Sequence, residues 1–203
     1  MPGPRRSANP LAAALEALRR ALGTEVPWML IGGFAVILHG VRRTTTDLDV
    51  AIRGDAIAVP ALLRRLRREQ IVPRIEDAET FAMQTLVVLA THVPTGVELD
   101  LSLAWSAFEH EALSSCPRAR VGRISVPVAS PEDLVIYKLI AGRPKDQEDV
   151  AALRALHPSM SEERIGRHLA ALEALADDGA LARPAPPPAR PRRLPARPRR
   201  QPK

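Results

Sequence analysis

The chain has 203 residues, 46% of them hydrophobic, enough for one folded domain with a small appendage and for a core that needs no staples. Its single cysteine, Cys116, rules out an intrachain disulfide, and the five histidines show no zinc-ligand spacing, so the composition points to a reducing, cytoplasmic setting. The formal charge of +6 is uneven: eight basic residues and no acidic ones lie between Arg183 and Lys203, which leaves the first 182 residues at −2. No apolar run approaches the roughly 20 residues that span a bilayer. Glu16, Arg19 and Arg20 interrupt the one N-terminal stretch that imitates a signal peptide.

In chain order, Asn9-Pro10 is a helix entry, a capping side chain followed by proline in the first turn. Leu11, Leu15, Leu18 and Leu22 then recur at helical spacing until Gly23. Residues 26–31 read as a short buried strand, and Gly32-Gly33 turns the chain into a second helix over 34–39 that Gly40 ends. Residues 47–53 alternate, with Leu48, Val50 and Ile52 on one face and Asp47, Asp49 and Ala51 on the other. A helix over 59–69 turns Val59, Leu62, Leu63 and Leu66 inward and keeps Arg64, Arg65, Arg67 and Arg68 on a solvated face.

Two strands are predicted over 85–92 and 97–103, joined by the turn Pro94-Thr95-Gly96. The second puts Val97, Leu99, Leu101 and Leu103 toward a core and Glu98, Asp100 and Ser102 on the other face. A strand over 124–128 precedes Ser130-Pro131-Glu132-Asp133, whose capping serine, early proline and first-turn acids announce a helix through Ala141. Helices over 145–156 and 162–176 follow, the last carrying Ile165, Leu169, Leu172 and Leu175. Tyr137 and Trp105 are expected to be packing residues. The segment from Pro184 is proline- and arginine-rich and reads as a disordered basic tail. The expected divisions are 1–128, 129–182 and 183–203.

The chemistry rests on spacing. Thirteen residues separate Gly33 from Asp47, and Asp47 and Asp49 share one strand face. If the strand of Asp100 is a neighbour, three carboxylates converge and repel, so a cation belongs among them. Mg²⁺ suits hard oxygen ligands, and two ions in such a cluster activate an attacking hydroxyl and neutralise a leaving pyrophosphate. Gly32 and Gly33, lacking Cβ atoms, let phosphates approach the backbone. Each piece alone has a bland reading, a tight turn or an exposed strand face; their ordered combination is the restrictive feature.

That combination resembles the nucleotidyltransferase superfamily of the polymerase-beta type, in the motifs Ile31-Gly32-Gly33, Asp47-Leu48-Asp49-Val50 and Leu99-Asp100-Leu101. Within it the chain looks most like the bacterial AbiEii group of toxin-like members. Arg43, Thr45, Asp47 and Asp49 match that group's Arg-x-Thr-x-Asp-x-Asp, and Arg143-Pro144-Lys145-Asp146 matches its Arg-x-Lys-Asp, with Asp149 one turn further. The resemblance covers roughly residues 11–175. It departs in length, being shorter than full-length AbiEii toxins, and in having Gly-Gly where many active transferases have Gly-Ser.

The resemblance implies an α/β (α+β) palm with a short mixed sheet, followed by a C-terminal helical subdomain. It implies Mg²⁺-dependent transfer of a nucleoside monophosphate from an NTP to an acceptor hydroxyl, releasing pyrophosphate. Asp47, Asp49 and Asp100 would hold two metal ions, Asp100 also drawing off the acceptor proton. Gly32 and Gly33 would hold phosphates. Arg43, Thr45, Lys138 and Lys145 would complete the nucleotide site. The acceptor would be RNA, such as a tRNA 3′ end, or a protein side chain; a resistance-type reading would make it a small molecule. A toxin role would bring an antitoxin partner, and no membrane is expected. The basic tail would either speed RNA encounter or keep the chain soluble. The alternative is a non-catalytic module that binds nucleotide or a partner through a degenerate transferase fold.

Overall fold

The computed structural model describes residues 9–177, so the expected tail and the last residues of the expected helical segment lie outside it. Helix α1 (Pro10–Leu22) begins where the Asn9 side chain accepts from the Leu11 amide at 3.0 Å, and it buries Leu15, Leu18 and Leu22. Strand β1 (Trp28–Ile31) runs directly into α2 (Gly32–Leu38), and β2 (Asp47–Arg53) follows after a loop. Helix α3 (Val59–Arg68) buries Leu62, Leu63 and Leu66 and leaves Arg64, Arg67 and Arg68 in solvent. Arg65 folds back to Glu25 and to the carbonyl of Leu22.

Next come β3 (Ile71–Pro73), α4 (Ala78–Thr85), β4 (Val87–His92) and β5 (Val97–Ala104). The turn between the last two closes with the Gly96 amide donating to the His92 carbonyl at 2.8 Å, Gly96 standing at φ +69. Helix α5 (Ala107–Ser115) and the hairpin β6 (Arg118–Val121) and β7 (Ile124–Pro127) lead to three helices, α6 (Pro131–Ala141), α7 (Pro144–Leu156) and α8 (Glu162–Asp177). Ser130 and Asp133 form the expected reciprocal cap of α6. An ion pair of 2.8 Å between Arg164 and Asp133 ties α8 to it.

The main sheet has the order β1-β2-β5-β4-β3 and is mixed: β2 and β5 are parallel, the other pairs antiparallel. The alternation in β2 and β5 fixes which face is buried. Leu48, Val50, Ile52, Leu99 and Leu101 are fully buried, whereas Asp47, Asp49, Glu98, Asp100 and Ser102 are partly exposed. The apolar residues join one continuous core that runs from α1 through the sheet to Leu134, Val150, Leu153 and Ile165. The helical half is also stitched to the sheet by backbone: the Ala129 amide donates to the Leu30 carbonyl at 2.9 Å.

Several expectations need correction. Thr85 ends α4 rather than starting a strand; Leu86 takes a left-handed conformation, φ 57, and β4 begins after it. Elements β3, α4, α5 and β6 were not anticipated. Trp105 is 42% exposed rather than packed, while Tyr137 packs against Phe108 at 5.2 Å between ring centroids. Leu175 stays 37% exposed at the end of α8.

Because Leu101 is fully buried in a central strand, Leu101→Ala should cost about 2–5 kcal/mol in urea unfolding. Met83→Ala, at a side chain 66% exposed, should change stability by less than about 0.5 kcal/mol. Equal effects would contradict the assigned faces.

Candidate active site

The parallel pairing of β2 with β5 puts Asp49 directly beside Asp100 and Asp47 beside Glu98. Neighbouring strands lie roughly 4.8 Å apart, so the two central carboxylates begin from Cα atoms about that distance from each other. On the other side of β2, Ile31 pairs with Asp49, which sets the Gly32-Gly33 turn against the same carboxylate. The Gly33 amide donates to Asp49 Oδ2 at 3.4 Å. Gly32 stands at φ +65, and a methyl group on it would overlap the Asp49 carboxylate. Only glycine satisfies both demands.

The loop 41–46 folds over this turn. Thr45 Oγ1 donates to Asp47 Oδ1 at 2.5 Å. A Cβ on Gly33 would stand 3.0 Å from both Thr45 Oγ1 and Arg43 Nη2, so the glycine is what lets the loop close down. Arg43 in turn pairs with Asp149 on α7. Asp149 shares Lys138 with Asp146, each carboxylate 2.8 Å from the ammonium, and Arg143 reaches Asp146 at 2.7 Å. Lys138, Asp146 and Asp149 are all buried. Burial alone would raise the Asp146 carboxyl, but hydrogen bonds from Arg143 and Lys138 outweigh it and hold it below the ordinary range.

Charge explains the rest of the site. Burial, and then the neighbouring charge of Asp100, push the Asp49 carboxyl above its usual value, against the Gly33 hydrogen bond and the positive charges of Lys138 and Arg143. Asp100 is also raised, first by burial, with Arg74 opposing and Glu98 adding to the rise. Arg74 pairs with Asp100 through Nη2 and with Glu98 through Nη1, the latter at 3.3 Å. Sequence reasoning missed Arg74 entirely. Glu98 carried a signal, since it alternates in step with Asp100.

The expected residues are thus brought together unequally. Asp47, Asp49, Asp100, Gly32, Gly33, Arg43 and Thr45 form one contiguous cluster through the contacts above. Lys138, expected at the nucleotide, is the buried hub of an ion network, and its charge is felt at Asp49. Lys145 is exposed at the start of α7, whereas its neighbour Asp146 is buried.

Among the described residues no three His, Cys, Asp or Glu side chains stand assembled as a metal cage. Mg²⁺ does not require one: it takes one or two carboxylates and fills its shell with water and phosphate oxygens. Asp49 and Asp100, adjacent, hard and mutually repelling, fit that demand. A cavity of ≈ 540 Å³ lies elsewhere, lined by Trp28, Cys116, Arg118 and Ser125. Trp28 sits three residues along β1 from Ile31, roughly 10 Å from the Asp49 row, so this cavity is not the carboxylate site.

Removing Lys138 leaves two buried carboxylates short of a partner. Lys138→Met should therefore destabilise the fold by about 3 kcal/mol, whereas Lys145→Ala should stay within about 0.5 kcal/mol, both read by chemical denaturation. A neutral Lys138→Met would mean the network is not structural.

No protein-family model and no curated protein sequence matches the chain. Solved structures do. The antibiotic-resistance factor ANT(2'')-Ia in solution is similar over 84% of this chain and 93% of its own, with a TM-score of 0.55 at 20% identity. An antigenic nucleotidyltransferase-like protein from Paracoccidioides brasiliensis is similar over 84% of this chain and 89% of its own, with a TM-score of 0.51 at 15% identity. At these identities the likeness is one of fold. The chain has a nucleotidyltransferase fold, a mixed five-stranded sheet with helices, over most of its length.

Proposed function

We propose that the protein is a nucleotidyltransferase that moves a nucleoside monophosphate from an NTP to an acceptor hydroxyl and releases pyrophosphate. The observation that carries this reading is the placement of Asp49 beside Asp100 with the Gly32-Gly33 turn against the same carboxylate. A merely structural strand pair has no need to hold two acids side by side on a partly buried face, where they repel. The same observation weighs against the degenerate, non-catalytic module.

Each residue's part follows from its position. Gly32 and Gly33 would form the phosphate end of the site: Gly33 is buried under Arg43 and Thr45, so the triphosphate would meet those loop side chains together with the Gly33 amide, which now donates to Asp49. Thr45 orients Asp47, and Arg43, anchored by Asp149, keeps the loop closed over the glycines. Asp49 and Asp100 would hold the divalent cation, with Asp47 the third acid beside them. Bound there, Mg²⁺ supplies Lewis-acid activation of the hydroxyl and neutralisation of the leaving pyrophosphate. Asp100, flanked by Arg74 and Glu98, would draw off the hydroxyl proton. Lys145, exposed at the start of α7, would contact phosphate from the helical side. The rate enhancement comes from positioning and charge neutralisation rather than from a covalent step.

The AbiEii-like motifs favour an acceptor on RNA or on a protein side chain, in a cytoplasmic toxin with a cognate antitoxin. Among the described residues no helix is long and apolar enough to cross a membrane. Incubation of the purified chain with Mg²⁺, each α-labelled NTP and either total RNA, lysate protein or aminoglycoside-type small molecules tests both parts. Labelled RNA or protein is the expected product, and Asp49→Ala should reduce it by at least 100-fold. A labelled small molecule alone would replace the acceptor assignment. No labelling of any acceptor by the wild type would return the reading to the binding module.

A further inference from the structure

Arg74 follows β3, where its amide donates to the carbonyl of Leu89 at 2.9 Å. Leu89 pairs with Asp100, and Asp100 with Asp49. Arg74 therefore belongs to the same row across the sheet as both central carboxylates, one strand beyond Leu89. A long side chain is required to cross that strand, and the guanidinium does so, ending on Asp100 Oδ1 and on Glu98 Oε2. The three side chains are 24%, 30% and 31% exposed, so the ion pairs are reachable from solvent. Pairs open to water gain little net energy, so a divalent cation can compete for the carboxylate.

Asp100 thus already carries a positive partner. A divalent cation between Asp49 and Asp100 meets a like charge on one of its ligands, and two cations on one carboxylate repel. Glu98 offers Arg74 a second seat on the same strand, two residues away. We propose that Arg74 is a built-in competitor of the divalent cation. As a positioning residue it neutralises Asp100 before the cation arrives, is left on Glu98 afterwards, and so sets how tightly the cation binds. This inference rests on the reading of Asp49 and Asp100 as cation ligands. It differs from a purely structural role for Arg74, which would leave cation affinity untouched.

Mn²⁺ titration of the full chain without nucleotide, followed by the electron paramagnetic resonance signal of free Mn²⁺, tests it directly. Arg74→Gln should bind Mn²⁺ roughly tenfold more tightly than the wild type, and Arg74→Lys, which keeps the charge, within about threefold of it. Glu98→Gln should weaken Mn²⁺ binding in the wild-type background and have a smaller effect in the Arg74→Gln background. Equal or weaker binding by Arg74→Gln overturns the proposal, as does a Glu98→Gln effect of the same size in both backgrounds. Loss of binding in Asp49→Asn with no change in Arg74→Gln leaves the cation site standing and removes only Arg74's part. Unchanged binding in Asp49→Asn brings down both.

Discussion

Everything in this molecule that points to chemistry depends on one pairing, that of β2 with β5 in parallel and in the register that sets Asp49 against Asp100. The pairing is made by apolar residues on the buried face, Leu48, Val50 and Ile52 against Leu99 and Leu101, so the driving force is hydrophobic burial. The acids ride on its other side. Two carboxylates in adjacent positions on a partly buried surface are unfavourable, and both are pushed toward the protonated form, chiefly by burial. The fold offsets this with cationic and dipolar groups drawn from three places: Arg74 after β3, the Gly33 amide at the start of α2, and Lys138 in the helical half.

The helical half is joined to the site by charge as well as by packing. Its buried lysine holds Asp146 and Asp149, and Asp149 holds Arg43, whose guanidinium lies over Gly33. A continuous chain of charged contacts thus joins α6 and α7 to the turn that faces Asp49. His157 adds a second link from the end of α7, with Nε2 3.1 Å from the His39 carbonyl beyond α2. Replacing any member of the buried network would be felt in the loop that carries Thr45 and leads into Asp47, even though none of those helical residues touches Asp49.

Much of this was legible in the sequence because alternation in a strand assigns faces without any knowledge of partners. Leu48, Val50 and Ile52 against Asp47 and Asp49, and the same pattern around Asp100, are read at once. That the two strands are neighbours came from the resemblance to known transferases, not from the periodicity. What stayed hidden has two physical causes. The buried residues of α4, Ala78 and Ala82, are small and leave little apolar stripe to detect, and α5 spans only nine residues, with Phe108, Ala112 and Leu113 buried, too short a run for the period to stand out. Arg74 depends on partners 24 and 26 residues further along the chain, and Lys138 on two acids of the following helix. An arginine after a three-residue strand looks like any solvated charge until β3, β4 and β5 are laid side by side. Lys138 likewise reads as a free cation until α6 and α7 are packed together, since its partners lie on the next helix.

The most direct test of the central claim is a crystal structure of the chain with Mn²⁺ and a non-hydrolysable NTP, read by the anomalous signal of the metal. A manganese peak within coordination distance of Asp49 and Asp100, with the triphosphate against Gly32 and Gly33, is the expected result. Nucleotide seated instead in the cavity beside Trp28, or a metal away from both carboxylates, would contradict it.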